Sequence, residues 1–283
     1  MRAPVKLSGG HWPERIRELR WVPWINDPRV AASPDPDPAA FSAAMSAFHV
    51  GDTFKITARG RHRISNQVLI DHVDLRGATI LDIGASDGGT SVDLIEQANA
   101  DFAEYFITDR HLTVEAANVG RHVVFFDGSG RCILIGGPGY VAYPADSRRV
   151  ARTWSRLIRK ARASVPRSIQ LINPDARRLI ENDPRVSIRE HDLFAPWDGP
   201  EPDVVKVANL LNRAYFSESD LVRAIDVLRS TVRDGGHLLI IDNPVDPTDT
   251  TARTGLYRRV GEELQAVATG QPSPEVATLI AGG

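Results

Sequence analysis

The sequence predicts a doubly wound α/β domain with a mostly parallel sheet, and three observations predict it. Residues 78–83, ATILDI, make a short apolar run of the kind buried on both faces of a parallel sheet. That run opens into the glycine-rich turn GASDGG at residues 84–89 and then into SVDLIEQANA, where Val92, Leu94, Ile95 and Ala98 fall at helical spacing. A second strand-like run, AEYFITD, ends in Asp109, about 20 residues beyond the turn, where an open α/β sheet sets an acid against a ribose.

Taken in order, the chain begins with WPERIRELRWVPW at residues 12–24, a proline-spaced linker SPDPDP at 33–38, and a helix-like run AAFSAAMSAF at 39–48. Residues 1–70 read as an N-terminal extension, a lid packed on a core domain at 71–283. NQVLIDHVDLRG predicts a helix that carries Val68, Leu69 and His72 on neighbouring turns and ends at Gly77. The core itself is interrupted by an insertion at about 111–165. There HVVFFDGSGRCILIGGPGYVAYP places the turn sequence DGSG between two strand-like runs, a β-hairpin signal. Residues 146–163 then predict a helix with Val150, Trp154, Leu157, Ile158 and Ala161 on one face. Arg148, Arg149, Arg152, Arg156, Arg159, Lys160 and Arg162 make it strongly basic. SIQLINPDARRLIEN offers a further strand and helix, and if that strand were second in the sheet, Asp175 would replace Asp109.

VSIREHDLF at 186–194 reads as the third strand and DVVKVAN at 203–209 as the fourth. Ser217, with Asp220 three residues on, opens a helix striped by Leu221, Ile225, Leu228 and Val232, which Gly235 and Gly236 stop. HLLIID is the fifth strand, and TGLYRR with LQAVAT forms a terminal antiparallel hairpin.

Composition narrows the function classes. A chain of 283 residues at 42% hydrophobic buries a full core, and a net charge of −2 argues against a wholesale nucleic-acid binder. The single Cys132 excludes an intrachain disulfide, and the eight histidines form no zinc pattern. No apolar run reaches the roughly 18 residues of a membrane helix, and the first residues carry charges throughout, so a cytoplasmic protein is expected.

The turn decides between cofactors. A nicotinamide fingerprint needs GxGxxG, but Gly84, Gly88 and Gly89 give GxxxGG. A short-chain dehydrogenase needs Tyr-x-x-x-Lys, and none of the five tyrosines has lysine four residues on. With Asp82 two residues before the first glycine, the pattern hhDhGxxxG instead resembles motif I of the class I S-adenosylmethionine-dependent methyltransferases. Residues 202–243 are similar to that family's stretch from the fourth to the fifth strand, and the resemblance runs from Ala78 to the C-terminus.

The resemblance implies a Rossmann-like sheet with S-adenosylmethionine as cofactor. It places Asp82, Gly84, Ala85 and Gly88 around the methionine end, Asp109 on the ribose, and Asp192 and the Leu193 backbone N–H on the adenine. Residues just past the fourth strand face the reacting methyl in that fold, which points to Asn209, Asn212, Arg213 and Tyr215 as catalytic candidates. Methyl transfer needs an in-line nucleophile about 3 Å away and gains much of its rate from that positioning, so no base is required. A small-molecule acceptor methylated at O, N or C is the expected substrate, and Arg59, Arg61, His62 and Arg63 would suit an anionic one. No metal is expected, because Asp242 and Asn243 lack a third acid after the fourth strand. Two alternatives stand beside this reading. One is an RNA methyltransferase using the basic 148–162 helix, and the other a non-catalytic regulator that keeps the fold.

Overall fold

The computed structural model describes residues 2, 5–6, 24–51, 53–55, 57–99, 101–243, 253–270 and 272–281 of the chain. The stretch at residues 12–23 expected in the N-terminal extension lies outside the described residues. The chain divides into two compact units, one of Met1–Ala58 with His111–Pro174 and one of Arg59–Arg110 with Asp175–Gly283.

The first unit begins with β1 (Val5–Lys6), β2 (Ile25–Asn26), a 3-10 turn at Pro28–Ala32, α1 (Pro38–Met45), and the short pair β3 (His49–Val50) and β4 (Thr53–Phe54). Asp37 starts α1 by accepting the Ala40 N–H at 2.9 Å, with Pro38 in the first turn where its missing N–H costs nothing. The second unit opens with α2 (Arg63–His72), β5 (Thr79–Ile83), α3 (Gly89–Ala98) and β6 (Glu104–Asp109). The chain then returns to the first unit for β7 (Thr113–Val119), β8 (His122–Phe126), β9 (Cys132–Gly137), β10 (Tyr140–Ala142), α4 (Arg148–Thr153), α5 (Ser155–Ala163) and β11 (Arg167–Gln170). The second unit is completed by α6 (Pro174–Asn182), β12 (Val186–Glu190), β13 (Val204–Ala208), α7 (Glu218–Thr231), β14 (His237–Asp242), β15 (Arg253–Val260), β16 (Glu263–Thr269) and α8 (Ala277–Ala281).

In the first unit the expected hairpin is the middle of a larger sheet. β8 and β9 turn at Asp127, whose carboxylate accepts the N–H groups of Ser129 and Arg131 at 3.0 and 2.9 Å. The full antiparallel order is β10-β9-β8-β7-β11. One face buries Val114, Phe125, Ile133 and Leu171 with Phe41, Met45 and Phe48 from the N-terminal segment, so the two pieces of chain share one core. The other face packs Val124, Phe126 and Ile135 against Ile158 and Ala161 of α5. The basic helix expected over 146–163 is two helices, broken at Trp154.

The second unit is the doubly wound, Rossmann-like sheet that the sequence predicts. Its order is β12-β6-β5-β13-β14-β15-β16; the first five strands run parallel, and β15 and β16 close the edge as an antiparallel pair. Alternate residues face opposite layers. Ile80, Tyr105, Val204 and Leu239 pack with Leu69 of α2 and Leu94 of α3. Leu81, Phe106, Val205 and Leu238 pack with Leu221, Ile225 and Leu228 of α7. Strand order reverses between β5 and β13, and in such sheets ligands bind beyond the carboxyl ends of the strands at that switch. β11 pairs with β7 in the other sheet. SIQLINPD is therefore no strand of the parallel sheet, and β6, ending at Asp109, is the strand beside β5.

Candidate functional site

Beyond the carboxyl end of β5 the backbone takes conformations that side chains resist. Gly84 and Gly88 sit at φ +71° and +77°, and Ser86 between them at φ +59°. A Cβ at Gly84 would stand 2.8 Å from Leu210 Cδ2, and one at Gly88 3.1 Å from Ala176 Cβ. Both positions favour glycine for their backbone angle, and at Gly88 the short, rigid Ala176 Cβ leaves little room as well.

Internal partners take much of the turn's hydrogen-bonding capacity. The Ala85 N–H donates to the Thr108 carbonyl at 2.9 Å, and the Ser86 N–H donates to Asp109 Oδ2 at 2.9 Å. Asp87, fully buried, accepts the Gly89 N–H at the start of α3 at 2.9 Å. A carboxylate at that helix start repels phosphate where a dinucleotide's pyrophosphate would lie. Ser86 Oγ, by contrast, is buried with no hydrogen-bond partner among the described residues, and so is Nε2 of His191, just past β12. Half-burial holds the His191 imidazole below its ordinary pKa, so at neutral pH the ring is uncharged.

The structure brings the remaining cofactor candidates to this same edge. The Asp109 carbonyl accepts the His191 N–H at 3.1 Å, which ties the ends of β6 and β12 together. Asp192 follows, its carboxylate accepting the Phe194 N–H at 3.0 Å and facing Arg110 at 3.3 Å. The Leu193 side chain is buried against the α7 layer. Asp175 lies in α6, where it pairs with Arg59 and Arg178.

Asp82, at the carboxyl half of β5, is engaged within the sheet. It is 1% exposed, and its Oδ2 accepts from Lys206 Nζ at 2.7 Å, Ser91 Oγ at 2.8 Å and the Tyr105 hydroxyl at 2.9 Å. Lys206 is its register partner on β13. The acid spends this oxygen inside the sheet because an unpaired lysine on a central strand would be far more costly than a paired one. Burial and the Asp82 charge raise the Tyr105 phenol well above its ordinary pKa, which keeps it a donor.

Past β13 the chain turns sharply at Asn209, which has φ +56°. Asn209 Oδ1 accepts the Asn243 N–H at 2.6 Å; its Nδ2 donates to Asn243 Oδ1 at 3.2 Å and reaches His62 Nε2 at 3.1 Å. Asn212 is used by the turn, its Nδ2 donating to the Asn209 carbonyl at 3.3 Å and its Oδ1 accepting the Ala214 N–H at 3.1 Å. Tyr215 is half-buried, its ring beside Phe216, and its hydroxyl is close enough to Arg61 to interact with that charge. Asp242 accepts the Glu275 N–H at 2.8 Å, and no group of metal-ligating side chains occurs among the described residues.

Sequence reasoning missed Lys206, Ser91 and Tyr105 around Asp82, and it grouped His62 with Arg59, Arg61 and Arg63 as one basic cluster suited to an anionic substrate. Register between distant strands sets Lys206 beside Asp82, while Ser91 reaches it from α3 and Tyr105 from β6. His62 lies one turn before Asn66 and two before Leu69, a spacing that could have marked it as inward-facing.

No family model and no curated protein matches the chain. Solved structures do resemble it. The S-adenosylmethionine-dependent methyltransferase SibL in its apo form is 17% identical, with a TM-score of 0.36 over 78% of this chain and 43% of that one. An O-methyltransferase family protein from Burkholderia thailandensis is 15% identical, with a TM-score of 0.36 over 75% and 42%. The mitomycin 7-O-methyltransferase MmcR is 17% identical, with a TM-score of 0.35 over 73% and 40%. The chain thus spans less than half the length of these three proteins. Likeness of this degree carries no argument about activity, and the strand order carries the fold.

Proposed function

We propose that the chain is an S-adenosylmethionine-dependent methyltransferase that transfers a methyl group in line to a small molecule, at O, N or C. The observation that carries this reading is the Ser86 N–H to Asp109 Oδ2 bond of 2.9 Å, which holds the acid ending β6 against the glycine turn at the strand-order switch. The buried Asp87 at the start of α3 supports a cofactor without phosphate over a dinucleotide.

In this reading Asp109 accepts the ribose hydroxyls, while Gly84, Ala85 and Gly88 let the backbone approach the amino-acid end. Asp192 and the Leu193 N–H take the adenine edge, Ser86 Oγ and His191 Nε2 gain ligand or water partners, and Asp82 positions the strand from behind. When bound, the cofactor supplies an electrophilic methyl on its sulfonium. Asn209, Asn212 and Tyr215 line the acceptor side; with Asn212 held by its turn, orientation rather than proton removal is their contribution.

Calorimetric titration with S-adenosylmethionine, S-adenosylhomocysteine and NADH tests the reading. Micromolar binding of the first two alone is expected, with Asp109→Ala weakening it by about 1.5–3 kcal/mol through loss of charge-assisted hydrogen bonds. Binding of NADH alone would sink the cofactor assignment, and an unchanged affinity in the variant would sink the role of Asp109. Tight binding with no turnover on any acceptor would favour the non-catalytic regulator.

One observation favours a second reading, action on RNA. Arg148, Arg149, Arg152, Arg156, Arg159 and Lys160 of α4 and α5 are all exposed, and no acidic side chain pairs with them among the described residues.

A further inference from the structure

The inward face of α2 begins polar where its next turn is apolar. His62, which precedes the helix, is 3% exposed; Ser65 and Asn66 are 0% exposed. The Asn66 N–H donates to the His62 carbonyl at 2.8 Å, so the two side chains stand one turn apart on the same face. Ser65 bonds Thr254 at 2.6 Å, and Leu69 enters the hydrophobic core. Among the described residues, His62 Nδ1, Asn66 Nδ2 and Asn66 Oδ1 have no hydrogen-bond partner. Buried polar atoms are nearly always paired, so three unpaired within one helical turn call for a partner from outside the chain.

The chemistry of that guest follows from the hydrogen-bond directions. Asn209 Oδ1 accepts the Asn243 N–H, which turns Asn209 Nδ2 towards His62 Nε2 at 3.1 Å. With that amide as donor, Nε2 accepts and the single proton of a neutral ring sits on Nδ1, although the Asn243 side chain also bonds this ring and favours its protonation. Burial, with Lys206 and Arg61 nearby, holds the imidazole well below its ordinary pKa, so this tautomer persists at neutral pH. The guest meets two N–H donors, from His62 and Asn66, and one acceptor, Asn66 Oδ1, in a field made positive by Arg61. Two donors in a positive field suit an anionic oxygen, and the acceptor suits a hydroxyl or amine beside it. The position agrees with catalysis: Asn209, which holds His62, precedes Leu210, the residue packed against the Gly84 turn.

We propose that His62 and Asn66 form the polar end of the methyl-acceptor pocket. The acceptor they fit is a small molecule whose carboxylate or phenolate oxygen is flanked by a hydroxyl or amine. Its identity as methyl acceptor rests on the reading given under Proposed function; the polar site itself does not.

Salicylate, which carries a carboxylate beside a hydroxyl, is the probe. Histidine nitrogen resonances are followed by NMR at pH 7.5 as salicylate is added, with and without saturating S-adenosylhomocysteine. The His62 ring is expected to show a protonated Nδ1 that shifts with salicylate, and benzamide is expected to bind at least tenfold more weakly. Asn66→Leu, close in shape, should lose salicylate affinity tenfold or more yet melt at an equal or higher temperature, because it removes two unpaired polar atoms. A His62 signal unmoved by salicylate in both states overturns the proposal, and so does an Asn66→Leu protein of clearly lower melting temperature. Binding of S-adenosylhomocysteine without a salicylate response sinks this site alone. A salicylate response without S-adenosylhomocysteine binding sinks the methyl-transfer reading and leaves the site.

Discussion

Lys206 is a lysine at the midpoint of a central strand with no exposure at all, an arrangement stable only with its partner in place. Its Nζ lies 2.7 Å from Asp82 Oδ2. Lys206→Met alone should cost about 3–5 kcal/mol in urea unfolding, because it strands a buried carboxylate, whereas adding Asp82→Leu should recover most of the loss. A single substitution costing under about 1 kcal/mol would mean that Asp82 is hydrated and the pair is not buried in solution. The residue scale is also where sequence was least legible. Asp82 lies two residues before a cofactor-type glycine, so its neighbours point it at a ligand, and nothing local announces the lysine it pairs with 124 positions away. The cluster of Arg59, Arg61, His62 and Arg63 has one composition and several environments. Arg59 pairs with Asp93 and Glu96 while His62 is buried, and only the tight turn that leads into α2 separates them.

Elements were more legible, because each carries its own pattern. β5, β13 and β14 are mostly apolar runs, and α7 has a capping serine, a stripe and a glycine stop, all local signals. β7 escaped notice: TVEAANV buries Val114, Ala116 and Ala117, but its two alanines favour helix and its one β-branched core residue is a weak signal. β11 buries Ile169 alone of its four residues, so only its partner β7 makes it a strand. The helix pair α4 and α5 gives the element-scale prediction. If its exposed cations follow a phosphate backbone, fluorescence anisotropy with a single-stranded polyuridine RNA should show log affinity falling with log salt by about 0.7 per phosphate contacted. Arg152→Glu with Arg156→Glu and Arg159→Glu should abolish that binding. No affinity in the unsubstituted protein at 50 mM salt would exclude the RNA reading.

Over the whole molecule, protonation links the site to stability. Burial pushes His62, His191 and His237 below their ordinary pKa of 6.5, with nearby cations adding to the effect at His62 and His237. In the unfolded chain these rings take up protons below about pH 6.5, while the folded protein resists. The unfolded state then binds more protons, so stability is full above that pH and falls as pH drops through the window beneath it. Urea midpoints should be level from pH 8 to 7 and decline from 6.5 towards 5.5, with His62 alone supplying up to about 1.4 kcal/mol per pH unit. A midpoint that rises on acidification through this range would contradict the burial of these rings.

The two pieces of chain that share the core of the first unit, residues up to 58 and 111–174, are separated by the strand, turn and strand that hold the glycine turn and Asp109. No single cut releases either unit intact. Removing the first segment would bare Phe125, Ile133 and Leu171 to water, and excising the second would leave Phe41, Met45 and Phe48 with nothing to cover. During synthesis the early segment must wait for residue 171 to leave the ribosome before its apolar side chains find their sheet, well after β5 and β6 have been made. The heritable module here is therefore a pair of segments, and a lineage that lost one would be under pressure to lose the other.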